Sequence, residues 1–491
     1  MRTATFLMVF PVALASFYFS HILPFAPFHY AIALGLVVLS GISPKKASLL
    51  FMVTVIVIDD FSKSYEVQSG AQTGFVSLFN ITVAGQTLYL LLAIYFVLIN
   101  LGILLLQEKQ RTGHSLVIGK ISPEMRVLLA VGTVSALIGL PNLTHGARAY
   151  VSDLGFFINI ILGYIIVRAS SRNLSELDYC FKLFIFAVMA KVVVVLIDVA
   201  YFSLGKGLIT IKPGSDSYLV PAVVLYCLMM LREYGISRAD KFLGSSAMTA
   251  AALAYFVVTA ARGRLIGGLI ALGLFLYALK FRRGLMGVAF AVALISFTLP
   301  LIPPEYLAYL QWKVRSFEAS ADTGHSALVR LVSLKNILAQ QLATVYQIVV
   351  GTGLGGYFTS EYYQFPMALR DSDFPHQWVV SDQFYKPHGS LLFLLLKTGM
   401  VGLILVYGKI VLENIKLLNF IRNTSSIPAD ARRILFVSAP LILPSMLVNF
   451  TSKLQFSTGL LLAFVYFGKN LLDEFSVERK AELRKDRRIC R

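Results

Sequence analysis

The chain has 491 residues, 57% of them hydrophobic and only 14% charged, whereas a soluble domain carries about 25% charged residues, so a water-soluble globular protein is excluded and a polytopic membrane protein is indicated. The formal net charge of +18 raises nucleic acid as a partner, but Lys and Arg fall in short segments between apolar runs and in the tail Arg479–Arg491. That is the positive-inside pattern, and it points to anionic membrane lipids and no nucleic acid.

In chain order, apolar runs long enough to span a bilayer, some with tilt or local thinning, occupy Thr5–Ser20, Phe25–Ser40, Ala47–Ile58, Gln86–Leu106, Val127–Leu140, Val151–Arg168 and Phe181–Leu204. Tyr218–Leu231, Ser245–Ala260, Leu265–Leu279, Leu285–Ile302, Ser390–Val411, Ile434–Val448 and Thr458–Leu472 follow. The reading is an all-α membrane protein of about fourteen transmembrane helices. Arg2 and Ala13-Leu14-Ala15 give the first run some character of a signal peptide. A second run follows at once, as in a helical hairpin, so an uncleaved first helix is expected.

Alternate loops are basic: Lys45/Lys46, Lys109/Arg111/Lys120/Arg126, Arg168/Arg172/Lys182, Arg232/Arg238/Lys241, Lys280/Arg282/Arg283 and Arg422/Arg432/Arg433. Both termini are then cytoplasmic. Phe61–Gly85, Pro141–Tyr150, Gly205–Ser217, Arg262–Arg264 and a long polar stretch beginning at Trp312 lie on the outer face. The domain reading is 1–303 for the first eleven helices, 304–389 for the outer loop, 390–472 for the last three helices and 473–491 for a basic cytoplasmic tail. Cys180, Cys227 and Cys490 fall in membrane or cytoplasmic positions, so no disulfide framework is expected outside. No internal repeat of the kind many transporters carry is visible.

The outer loop has the marks of a folded unit. Leu328, Val329, Leu331, Val332, Leu334, Ile337, Leu338 and Leu342 have helical spacing, Gly351 to Gly356 form a turn, and aromatics run from Tyr357 through Trp378 to Tyr385. Lys386-Pro387-His388-Gly389-Ser390 closes it against the next apolar run.

Several residues here can carry chemistry. Arg262 and Arg264 meet between two apolar runs on the face that should be poor in positive charge; snorkelling to lipid phosphate is the bland reading, phosphate binding by guanidinium forks the sharper one. Arg330 is a solvated helix face or a third cation aimed at an anion. His388, at the mouth of a membrane helix, is a structural histidine or a general base. Asp59-Asp60 as a metal pair is a weak reading, and Gly351-x-Gly353-x-x-Gly356 lacks the strand a dinucleotide site needs. No Walker lysine, His-Glu-x-x-His or Gly-x-Ser-x-Gly motif is present, which leaves ATP-driven transport, zincin proteolysis and hydrolase chemistry without support.

The order of Arg262-Gly263, Arg330, Gly351-Thr352-Gly353-Leu354-Gly355 and His388-Gly389-Ser390 through Lys397-Thr398-Gly399-Met400-Val401-Gly402 resembles the O-antigen polymerase and O-antigen ligase superfamily of bacterial membrane glycosyltransferases. The sequence departs from that pattern at Ala261, Gly389 and Lys397, where the superfamily commonly has Ser, Asn or Ser, and Glu. The resemblance implies transfer of a glycan from an undecaprenyl-diphosphate-linked oligosaccharide to an acceptor glycan at the periplasmic face of the inner membrane, with no cofactor and no metal ligands. Other polysaccharide-export proteins are implied as partners. His388, Arg262 and Arg330 are then the expected catalytic residues, with Arg264, Lys386, Tyr385 and Trp378 binding substrate; the aromatics from Tyr357 to Tyr385 stack on sugars or, many of them, only pack the loop. A repeat-unit polymerase is the first reading and a ligase to a lipid or protein acceptor the second. A flippase of lipid-linked sugars is the non-enzymatic third, with Lys191, Lys397 and Lys409 as its best features.

Overall fold

The computed structural model describes residues 2–58, 76–112, 121–198, 219–234, 239–259, 262–279, 325–365, 374–387, 389–424, 427–448 and 455–472. The described chain is mostly helical. In order the helices are α1 (Arg2–Phe17), α2 (Ala26–Ile42), α3 (Pro44–Val57), α4 (Leu88–Thr112), α5 (Pro123–Ile138), α6 (Leu143–Ser170), α7 (Leu174–Asp198), α8 (Val220–Tyr234), α9 (Ala239–Thr259) and α10 (Arg262–Ala278). The second half adds α11 (His325–Ala343), the short α12 (Tyr346–Val350) and α13 (His376–Ser381), α14 (Ser390–Asn423), α15 (Ala429–Val448) and α16 at 455–472.

Every expected apolar run falls on one of these helices except Leu285–Ile302, which lies outside the described residues. Among the described residues four helical segments are long and apolar enough to cross a membrane: Leu88–Gln107, Gly146–Ser170, Leu174–Ile197 and Ser390–Asn423. Among the described residues α1, α2, α9 and α10 carry shorter apolar segments.

Two elements differ from the sequence reading. The supposed loop Pro141–Tyr150 is helical from Leu143, with a break at Gly146 (φ −156°, ψ 48°), so Arg148 stands on α6 rather than in a loop. Ahead of α4, Thr82–Val83 (β1) pairs antiparallel with Gln86–Thr87 (β2) in a fold read as all-α. Its connecting residues Ala84 and Gly85 both have positive φ, the geometry of a two-residue hairpin turn whose twist matches its strands.

Two cores organise the chain. The larger joins the membrane helices, with α14 lying against α5 and α15, and α4 against α6. The crossing of α6 with α16 is unusually close: a Cβ added at Gly163 would lie 2.1 Å from the Phe456 carbonyl oxygen, and one at Gly459 would lie 2.0 Å from that of Ile160. Small residues permit this approach in membrane helices. The smaller core lies in the polar stretch, where Val329, Ile337, Phe358, Phe365, Phe374 and Phe384 are buried together with Leu395 and Leu396 of α14. Those phenylalanines hold the loop together, the packing role expected for many of the loop aromatics.

Candidate functional site

The glycine turn is the joint between loop and helical bundle. Gly351, Gly353 and Gly355 all have φ near +76°, a region L side chains avoid, and the turn enters the bundle where α14 is interrupted at Gly399 (φ 65°, ψ −172°). That break frees backbone groups, which need partners in a dry interior. The Thr352 and Gly353 N–H groups donate to the Leu396 and Lys397 carbonyls at 2.8 and 3.1 Å. Ser135 of α5 donates to the Lys397 carbonyl at 2.8 Å, and its own carbonyl accepts from the Leu354 N–H at 3.0 Å.

At the centre of the joint the Lys397 ammonium meets the Asp153 carboxylate of α6 at 2.6 Å, both side chains fully buried. Asp153 also accepts from the Gly355 N–H at 2.8 Å, and Lys397 donates to the Gly356 carbonyl. A buried charge persists only if paired and hydrogen-bonded, and here the same two side chains hold the loop onto α6 and α14. Lys409 is likewise paired with Glu413 at 3.0 Å. Lys397 and Lys409 therefore have structural partners and no longer argue for a transport path.

A cavity of about 260 Å³ opens beside this joint. Arg148, Ser152, Gly155, Phe156 and Asn159 of α6 line one wall at i, i+4, i+7, i+8 and i+11, which is a single helix face. The hairpin and the start of α4 supply Gln86, Thr87 and Tyr89, and Lys386, Phe393 and Gln455 complete it. Lys386 donates to Ser152 Oγ at 2.7 Å. Its lining holds Arg148 and Lys386 and, among the described residues, no carboxylate, so the electrostatics favour an anion.

Of the residues expected from sequence, Lys386 lines this cavity. Tyr385 stands next to it, its ring 5.7 Å from that of half-buried Trp378 and 5.6 Å from Tyr357, and its hydroxyl donates to Gln383 Oε1 at 2.8 Å. Burial, with a smaller contribution from Tyr357, pushes the Tyr385 hydroxyl above the usual phenol range. Arg330 is exposed on α11 as expected and is not part of the cavity wall. Arg262 and Arg264 stand in the first turn of α10 rather than in a loop, and their side chains lie outside the described residues. His388 and Asp59-Asp60 lie outside them as well. Beside His388, Gly389 (φ 121°) opens α14 at Ser390.

Arg148, Asn159 and Gln455 were not singled out from sequence. Arg148 did carry a signal: it belongs to the stretch 141–150 on the face that the charge alternation leaves poor in cations. Asn159 and Gln455 are neutral amides in apolar runs and carried no signal of their own.

Neither curated proteins nor solved structures gave a match to the chain. A family model did, and it spans from α9 to the middle of α14, across Arg262, Arg330, the glycine turn, Lys386 and Lys397. Residues 247–407, about a third of the chain, match the family described as O-antigen ligase, in line with the resemblance to the O-antigen polymerase and ligase superfamily.

Proposed function

We propose that this protein is a membrane glycosyltransferase that polymerises surface polysaccharide repeat units, moving glycan from an undecaprenyl-diphosphate carrier to an acceptor sugar hydroxyl at the periplasmic face. The observation that carries this reading is the cavity next to the α14 entrance, with two cations and no carboxylate in its described lining, within a protein matching an O-antigen ligase family. In the reaction an acceptor oxygen bonds to the anomeric carbon, the bond from that carbon to the diphosphate oxygen breaks, and the hydroxyl proton is lost. The departing diphosphate needs fixed positive charge. Arg148 and Lys386 supply it in this reading, with Arg262, Arg264 and Arg330 as further cations of the same outer face. His388 takes or orients the hydroxyl proton.

The family's own description favours ligase transfer to a lipid or protein acceptor as the second reading. Purified protein incubated with lipid-linked repeat units and resolved on a gel separates the two: a ladder is expected of a polymerase, and a single glycan on a second acceptor of a ligase. Absence of any covalent product overturns both. In the same assay His388→Ala is expected to keep donor binding and lose about 10²-fold or more in transfer, and wild-type turnover removes His388 from the mechanism.

A further inference from the structure

A second cavity, of about 100 Å³, lies at the other end of the bundle, on the face that the charge alternation assigns to the cytoplasm. Ile410, Glu413, Asn414 and Leu417 of α14 line it at i, i+3, i+4 and i+7, and Leu462, Val465, Tyr466 and Lys469 of α16 repeat that spacing, so each helix turns one face inward. The first turn of α5 adds Glu124, just after Ser122, whose side chain accepts from the Met125 N–H at 3.2 Å and caps the helix.

Two side chains in this wall carry buried polar atoms with nothing to bond. Asn414 is 3% exposed, and neither its amide nitrogen nor its oxygen has a partner among the described residues. Glu124 Oε2 is buried and unpartnered in the same sense. Buried polar groups are bonded in nearly every folded protein, so an amide orphaned at both ends beside a cavity points to a ligand there. The charges narrow its chemistry. Glu413 is already held by Lys409 at 3.0 Å and Lys416 at 3.1 Å, which leaves Glu124 on α5 and Lys469 on α16, one of each sign. A bare metal cation would meet the Lys469 ammonium, and a simple anion would meet the Glu124 carboxylate.

A zwitterion with an ammonium to donate and phosphate oxygens to accept suits both, and an amide such as Asn414 can serve either end. Depth agrees with a lipid as its source. Ile410, Ile442, Leu462 and Val465 lie on the bilayer side of the polar groups, and Leu412 and Ile415 are exposed on the neighbouring surface of α14. Polar groups at the helix ends and apolar ones above them follow the order of a phospholipid from headgroup to chain. We propose that this cavity binds the headgroup of a zwitterionic aminophospholipid of the cytoplasmic leaflet, its ammonium at Glu124 and Asn414 and its phosphate at Lys469. The site stands apart from the outer cavity and does not depend on the glycosyltransferase reading.

Native mass spectrometry of the full-length protein in detergent, offered equal amounts of phosphatidylethanolamine and phosphatidylcholine with the same acyl chains, tests it. The ethanolamine lipid is expected to be retained about tenfold or more over the choline lipid, the size of one charge-assisted hydrogen bond, because a quaternary ammonium has no N–H to give. Asn414→Leu, which removes the orphaned amide and leaves no new one, is expected to keep the fold and abolish the preference. Glu124→Gln is expected to act in the same sense and serves where the leucine variant is unstable. Phosphatidylglycerol, drawn to basic loops anywhere on this face, is the control, and Asn414→Leu is expected to leave its retention unchanged. Equal retention of the two zwitterionic lipids by the wild type, an unchanged preference in both variants, or loss of all three lipids together in Asn414→Leu overturns the site. Free phosphoethanolamine at millimolar concentration is expected not to displace the lipid, and displacement by it overturns the lipid source in favour of a soluble ligand.

Discussion

Lys397 stands where the resembling superfamily commonly has Glu, and Asp153 against it explains how a lysine is held there without a path to water. Asp153→Asn keeps an acceptor for the Gly355 N–H but strips the charge opposite Lys397. Breaking a buried pair in this way costs about 3–5 kcal/mol, and adding Lys397→Met is expected to recover part of it because no uncompensated charge remains. Lys397→Glu, which sets a second carboxylate against that of Asp153, is expected to be worse than Lys397→Met. Thermal unfolding in detergent, read by the reactivity of the buried Cys180 and Cys227 thiols, ranks the variants; equal midpoints for all would mean that the pair does not hold the joint. The second residue-scale expectation concerns Arg148. Its removal should lower transfer by on the order of 10²–10³, the usual cost of a lost preorganised charge donor. Arg148→Lys should rescue poorly, because an ammonium lacks the planar fork, and full activity in Arg148→Ala would take this cavity out of the reaction.

At the scale of elements, the glycine turn and the break in α14 are complementary. A Cβ at Gly353 would stand 2.4 Å from the Gly139 backbone nitrogen, on top of a positive φ of 75°. Backbone strain of this kind costs about 1–3 kcal/mol before the clash is counted. Gly353→Ala should therefore lower the unfolding midpoint and reduce transfer together. Gly35→Ala in α2, with open space around the added carbon and no positive φ, should be neutral or slightly stabilising. Equal behaviour of the two variants would mean that the turn is not rigidly seated. Periodicity in the loop was enough to place α11 on the chain, and the three alternating glycines were enough to identify a turn. That the turn inserts into an interrupted membrane helix was invisible, because Gly399 reads in sequence like any other small residue of an apolar run.

For the whole molecule, the charge alternation predicts an orientation of the bundle, and that orientation is open to direct measurement. In a background lacking the native cysteines, Val380→Cys, 72% exposed in the polar stretch, is expected to react with an impermeant thiol reagent in cells with a permeabilised outer membrane. Asn423→Cys at the end of α14 should be protected. The reverse result overturns the topology.

Composition and pattern alone determined what kind of molecule this is. Fifty-seven percent hydrophobic residues require a bilayer and apolar runs mark the helices, because each depends on local chemistry that no partner segment can alter. Lys386 was named through the family resemblance, and the structure places it in the cavity wall. What needed the tertiary structure are the relations between distant segments. Asp153 on α6 and Lys397 on α14 have the helices α7 to α10 and the whole polar stretch between them and become one buried pair only when the glycine turn seats. Asn159 and Gln455, unremarked in their own runs, meet because Gly163 and Gly459 let two helices touch. The aromatics moved in meaning as well, since burial turns Phe358 and Phe384 into loop core while Phe156 and Phe393, which look like ordinary membrane residues in sequence, line the cavity. Hydrophobicity is a property each residue carries with it, but a site is made of distances, and those exist only after the helices have packed.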